Sequence, residues 1–282
     1  MLQIKGLETR LSSDKRLLIM GIVNVTPDSF SDGGQYLEPQ KAVAHALQLV
    51  TDGADILDLG AESTRPGAKS VPPAVQLERL LPVVRGIRNF SDIPVSIDTT
   101  SALVAQTLLE NGADIINDIS AARFDDQMLA VCKAFSAPIV LMHMQGAPGN
   151  MQQNPRYDDV VSEVCAFLRE AAQKAETSGL SPAQIILDPG LGFGKTLEHN
   201  LTLMRNIDKL AGLGYPLLIA ASRKTFLRTL LTGDPQGAAS IAELDAATQV
   251  TTMLSLLHGA AMVRVHNVKD AVNTLKVLGA MV

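Results

Sequence analysis

The feature that most constrains this chain is an alternation. Short runs rich in Val, Ile and Leu recur along it, and a longer amphipathic stretch follows each one. The runs are Leu17–Val25, Asp55–Leu59, Pro94–Ile97, Asp114–Ile119, Pro138–Met142, Gln184–Leu187, Pro216–Ala220 and Ala261–Val265. Each is nearly continuous in apolar residues rather than alternating, the pattern of parallel strands covered on both faces. Helices are expected over Glu38–Thr51, Pro72–Arg88, Ser101–Leu109, Asp125–Phe135, Tyr157–Thr177, Leu197–Leu210, Ala238–Leu257 and Lys269–Leu278. Strand and helix in strict alternation predict an α/β fold, a single (β/α)8 TIM barrel over residues 1–282. A doubly wound open sheet is the second reading.

Composition narrows the function. A formal net charge of −5 and an aromatic content of 4% without Trp argue against a nucleic-acid surface. The stretch Met1–Leu18 carries Lys5, Glu8, Arg10, Asp14, Lys15 and Arg16 and lacks the apolar block of an export signal, so a cytoplasmic protein is expected. Cys132 and Cys165 both fall in expected helices and read as small buried hydrophobes.

A barrel enzyme gathers its chemistry at the C-terminal ends of its strands. Here those ends carry Asn24, then Asp58 with Glu62, Thr64 and Arg65, then Asp98, then Asn117 and Asp118. His143, Asp188, the triplet Ser222-Arg223-Lys224, and Arg264 with His266 complete the rim. Each buried polar group costs free energy unless paired, so such a rim points to a ligand. Each also has a plainer reading. Asp98 and Asp188 could cap helices, Asn117 could tie a turn, His143 could be a satisfied core residue, and Asp58 and Glu62 could pair with cations inside the rim.

The histidines form no close helical pair and no CxxC occurs, which disfavours zinc. Mg2+ held by one or two protein oxygens and a substrate diphosphate is compatible with the sequence. Asp188–Thr196 ends like a phosphate-binding loop, but Pro189 stands where that motif needs its first glycine. It reads instead as a flexible loop presenting Phe193 as a flat wall. Two long polar stretches, Thr26–Gly34 and Ser63–Ala68, read as lids over the rim, the first because Phe30 would otherwise be an exposed aromatic.

From Leu18 to Lys269 the chain resembles the dihydropteroate synthases. The phrases that carry the resemblance are Gly21–Gly34, Glu62–Gly67, Ile97-Asp98-Thr99, Ile115–Ile119, Leu141–Gly146, Leu187–Gly190, Ser222-Arg223-Lys224 and Arg264-Val265-His266. The resemblance implies that 6-hydroxymethyl-7,8-dihydropterin diphosphate loses diphosphate to the amine of 4-aminobenzoate. It implies that Asp98, Asn117, Asp188 and Lys224 line a pterin pocket with Met142 nearby, and that Asn24 holds Mg2+. Arg264 and His266 would hold the diphosphate, and Thr64, Arg65, Pro66, Phe193, Ser222 and Lys224 would shape the aminobenzoate side. The residues expected to carry the chemistry are Asp98, Lys224, Arg264 and His266.

The family dimerises through its outer helices, so a homodimer is expected, although Ile241–Gln249 departs from the family phrase there. Ala61, Ala220 and Thr100-Ser101 are further departures, and none removes a group assigned to chemistry. The competing readings are a pterin-dependent methyltransferase acting on a corrinoid protein, a non-catalytic pterin-binding paralogue, and a phosphate-binding barrel with a sugar substrate.

Overall fold

The computed structural model describes residue 4 and residues 17–26, 37–62, 70–147 and 149–281. Its strands are β1 (Leu18–Asn24), β2 (Ile56–Gly60), β3 (Val95–Asp98), β4 (Ile115–Asp118), β5 (Ile139–Met142), β6 (Ile185–Asp188), β7 (Leu218–Ile219) and β8 (Met262–Val265). The helices are α1 (Leu37–Asp52), α2 (Pro73–Arg88), α3 (Ala102–Glu110), α4 (Met128–Phe135), α5 (Val160–Thr177), α6 (Leu197–Arg205), α7 (Ile207–Ala211), α8 (Thr225–Thr232), α9 (Ile241–Leu257) and α10 (Val268–Gly279). The strands pair in parallel in the order β6-β5-β4-β3-β2-β1-β8-β7. The ring closes between β6 and β7 through the Leu187–Leu217 bridge, where Leu187 N–H donates to Pro216 O at 2.9 Å. The expected barrel is the fold observed.

Strand residues are buried on both faces because side chains alternate between the helix layer and the barrel interior. Inside, Leu18, Met20, Ile56, Ile115, Val140, Ile186, Leu218 and Met262 form one apolar layer with Ile4. Two residues further along these strands, the same inward face carries Asp58, Asn117, Met142, Asp188 and Arg264. The interior is therefore a hydrophobic plug with a largely polar layer above it, toward the C-terminal rim. The outer faces of the strands pack with the helices into the main core, which includes Leu57, Leu59, Val84, Ile87, Ile97, Leu108 and Val164.

Several boundaries differ from the sequence expectation. Residues expected as one helix, Leu197–Leu210, form α6 and α7. At Asn206 the backbone leaves the helical region (φ −125°), and its side-chain Nδ2 donates to Thr202 O at 2.8 Å, closing α6. β7 is only two residues long, shorter than Pro216–Ala220. Helix α8 follows the Ser222-Arg223-Lys224 phrase and is too short for its period to stand out; Gly233 ends it in the left-handed region (φ 75°). α5 starts at Val160 because the Asp159 carboxylate accepts from Val161 N and Ser162 N. Ser101, one of the departures from the family phrase, caps α3 by accepting from Val104 N. Both cysteines are free; Cys132 is buried as expected, whereas Cys165 is only partly so.

Candidate active site

The polar layer converges at the centre of the barrel mouth. Arg264, on β8, donates Nε to Asp58 Oδ2 at 2.6 Å and Nη2 to Asp98 Oδ2 at 3.1 Å. Asn117 Nδ2 donates to the same Asp58 oxygen at 3.1 Å. Asp58 is fully buried and fixes two neighbours at once. Because the Asn117 N–H group points to Asp58, its carbonyl oxygen is the edge left for a ligand. Asp188 Oδ1 accepts from Gly190 N at 2.7 Å, which folds the chain into the loop after β6. Neither Asp98 nor Asp188 caps a helix, and Asn117 does not tie a turn. Glu62 takes an amide N–H from Gln76 at 3.2 Å.

Burial sets the protonation of these groups. It pushes Asp98 up to about 7; Arg264 and Lys224 oppose the rise, while the charges of Asp58 and Asp118 add to it. Burial likewise raises Asp188 to about 6, against the Gly190 N–H and the nearby cations. Lys224 is pushed down to about 8 by burial, an effect that Asp188 and Asp98 partly offset. Its ammonium lies 4.0 Å from the centre of the Phe193 ring, a cation–π contact. Phe193 joins Ile119, Met142, Met144 and Met151 in an apolar cluster, so Met142 supplies a wall beside the carboxylates.

At the next strand end Ser222 meets His266. The Ser222 hydroxyl accepts from His266 N at 3.1 Å and lies 2.9 Å from His266 Nδ1. The backbone and side-chain contacts together fix the Ser222 hydroxyl against the His266 ring.

Two features were not read from the sequence. Lys195 is buried, and its Nζ lies 2.9 Å from His143 Nδ1, 2.9 Å from Gly190 O and 3.0 Å from Phe193 O. It pins the loop that carries Phe193. His143 is thus a core residue, edge-on to Phe167 at 4.8 Å and held neutral by burial and by the Lys195 charge. Asp118 accepts from Ser120 N, Ser120 Oγ and Ala122 N, anchoring a turn in which Ala121 and Ala122 both have left-handed φ (54° and 56°). The only sequence signal for Lys195 was a lysine inside a glycine-rich loop, which suggested phosphate.

Asn24 ends β1 on this rim, and no described residue hydrogen-bonds its side chain. Thr64, Arg65 and Pro66, and the Phe30 loop, lie outside the described residues. Among the described residues no three His, Cys, Asp or Glu side chains cluster as a metal site.

Comparison with known proteins converges on one family. Residues 20–266 match the family model described as pterin binding enzyme. The dihydropteroate synthase of Synechocystis sp. is 43% identical over 97% of this chain and 93% of the relative. The solved dihydropteroate synthase of Xanthomonas albilineans with 4-aminobenzoic acid superposes with a TM-score of 0.87 at 40% identity, over 94% of this chain and 93% of that one. The same organism's enzyme in complex with 7,8-dihydropteroate gives a TM-score of 0.83 at 37% identity, over 94% of each. An interior layer of acid, amide and cation on a barrel with these relatives has one family behind it: the chain belongs to the dihydropteroate synthases, among the pterin-binding enzymes.

Proposed function

We propose that this protein acts as a transferase, joining the methylene carbon of 6-hydroxymethyl-7,8-dihydropterin diphosphate to the amine of 4-aminobenzoate with release of diphosphate. The observation that carries this reading is the buried set Asp98, Asn117 and Asp188, backed by Lys224 and Arg264. It presents acceptors to a flat heterocycle rich in N–H groups. Met142 and Phe193 cover its apolar faces.

In this reading the C–O bond to the diphosphate weakens and positive charge grows on the methylene carbon. The Asp98 carboxylate, ionised and desolvated, stabilises that charge. Arg264 holds Asp98 in place through Nη2, and its Nη1 edge, with His266, faces the departing diphosphate. The aniline nitrogen is nucleophilic while neutral, so no strong base is required, and the proton it sheds leaves with solvent or diphosphate. Thr64, Arg65 and Ser222 are assigned to the aminobenzoate side, with Ser222 acting through His266.

Asn24 offers a neutral, hard oxygen with no described partner, which fits Mg2+ carried mostly by diphosphate and water. When bound, the ion would neutralise leaving-group charge. No helix among the described residues is long and apolar enough to cross a membrane, in keeping with a cytoplasmic location.

We also propose a homodimer through α9. This helix buries Leu244 beside Asp245, Thr248, Thr251, Thr252 and Ser255 and leaves Ile241, Val250 and Leu257 exposed. Leu230 and Leu231 of α8 are exposed as well. Exposed aliphatic residues on two consecutive outer helices are suited to a second copy.

The test is incubation with the pterin diphosphate, Mg2+ and 4-aminobenzoate. Diphosphate release matched by the coupled product supports the reading. Release without coupling, or no turnover, overturns it.

A further inference from the structure

We infer that Asp245, on the outer helix α9, is a positioning residue for the reaction, fixing the loops after β7 and β8 together. This rests on the function proposed above. Arg223 stands between Ser222 and Lys224 with φ 55°, a left-handed conformation that costs a non-glycine residue about 1–2 kcal/mol. On either side of it, Ser222 reaches His266 and Lys224 reaches Phe193. The Arg223 side chain runs instead to α9. Its Nε donates to Asp245 Oδ1 at 2.6 Å and its Nη2 to Asp245 Oδ2 at 2.8 Å, a two-pronged contact. One turn along α9, Thr248 Oγ1 accepts from Arg223 N at 3.2 Å. The same Asp245 Oδ2 accepts from Asn267 Nδ2 at 3.2 Å, and Asn267 follows His266.

One buried carboxylate therefore holds the residue between Ser222 and Lys224 and the residue beside His266. Burial alone would raise the Asp245 carboxyl, but hydrogen bonds from Arg223 and Asn267 and the charges around it hold it below the usual range. Asp245 makes no hydrogen bond to Ser222, Lys224 or His266; beside the pull of its charge on His266, it acts through Arg223 and Asn267. It supplies the contacts that keep Arg223 in its costly conformation, and with it the reach of Lys224.

The test compares the parent with Asp245→Asn, Arg223→Lys and the double variant. Arg223→Lys keeps the charge and loses the fork, so it covers the case in which Asp245→Asn fails to fold. Misplacing catalytic groups by a fraction of an ångström is expected to lower kcat/KM for the pterin diphosphate about tenfold or more in each single variant. The double should be little worse than the worse single, because both remove one clamp.

Calorimetry with inorganic diphosphate gives a readout that a purely structural role would not move. Binding to the folded variants should weaken with displacement of His266. Activity within twofold of the parent, additive losses, or unchanged diphosphate affinity would each overturn the inference. A parent that binds diphosphate but performs no coupling would instead sink the proposed function, and the calorimetric comparison would still decide on Asp245.

Discussion

Arg264 and Asp58, 206 residues apart in sequence, meet at 2.6 Å inside the barrel, and the contact sets the geometry of the pocket floor. The Asp58 side chain is fully buried, and its Oδ1 has no hydrogen-bond partner among the described residues. Removing Asp58 would leave a largely buried guanidinium with Asp98 alone. Asp58→Ala is therefore expected to cost about 3–5 kcal/mol of stability, as for other broken buried pairs. The denaturant midpoint measures it, and a loss below about 1 kcal/mol, the usual worth of an exposed pair, would show that the pair is not structural.

Asp98→Asn keeps the side-chain volume and removes the charge opposite the developing cation. The expected outcome is a folded protein with a barrier higher by about 2.7–4 kcal/mol, or about 10²–10³ in turnover. Steady-state rates beside a thermal melt check both halves. Near-parental turnover would remove Asp98 from the chemistry.

The shifted groups predict a narrow pH profile. kcat/KM reports the free enzyme. In the proposed reaction Asp98 acts ionised, and burial pushes it up to about 7, so activity is expected to rise as pH passes through that value. In the same proposal Lys224 acts as a cation, and burial pushes it down to about 8, so activity is expected to fall beyond it. In Asp98→Asn the residual activity should lose the limb at 7 and keep one near 6 from Asp188. Its falling limb should move to lower pH, because the Asp98 charge helps keep Lys224 protonated. An acid limb that stays at 7 would mean another group sets it.

Gly190 has φ 66°, and a Cβ there would collide with the carbonyl oxygen of His143. Gly190→Ala must open the loop that Lys195 ties together, carrying Phe193 away from Lys224. The expected signs are a lower melting temperature and a large fall in activity, with weaker 4-aminobenzoate binding seen by calorimetry. A variant with parental binding would show that the loop tolerates the shift.

The barrel was legible because its strands are continuous apolar runs, a pattern few other structures need. Asp98 and Asp188 were legible because each directly follows such a run, and Asn117 because it interrupts one; Asn117 and Asp188 lie two residues beyond the inward Ile115 and Ile186, whereas Asp98 follows buried Ser96. What escaped notice depends on contacts between distant positions. Lys195 meets His143 across 52 residues and Asp245 meets Arg223 across 22, and neither spacing has a period to reveal it. The paired left-handed alanines after Asp118 carry no glycine to announce the turn. Ser222 meets His266 across 44 residues, another contact that no spacing announces.

The ring of strands is unevenly sewn. β1 and β2 share five paired positions, whereas β6 and β7 are joined by one bridge and β7 has only two residues. A closed barrel breathes where its lacing is sparsest, and backbone amides there exchange with solvent first. That gap lies between Asp188 and the Ser222–Lys224 turn, on two sides of the same pocket. Strain from a bulky or misfitting occupant would be relieved at this seam, so the fold gives the site one compliant wall and leaves the wall of Asp58 and Asp98 stiff.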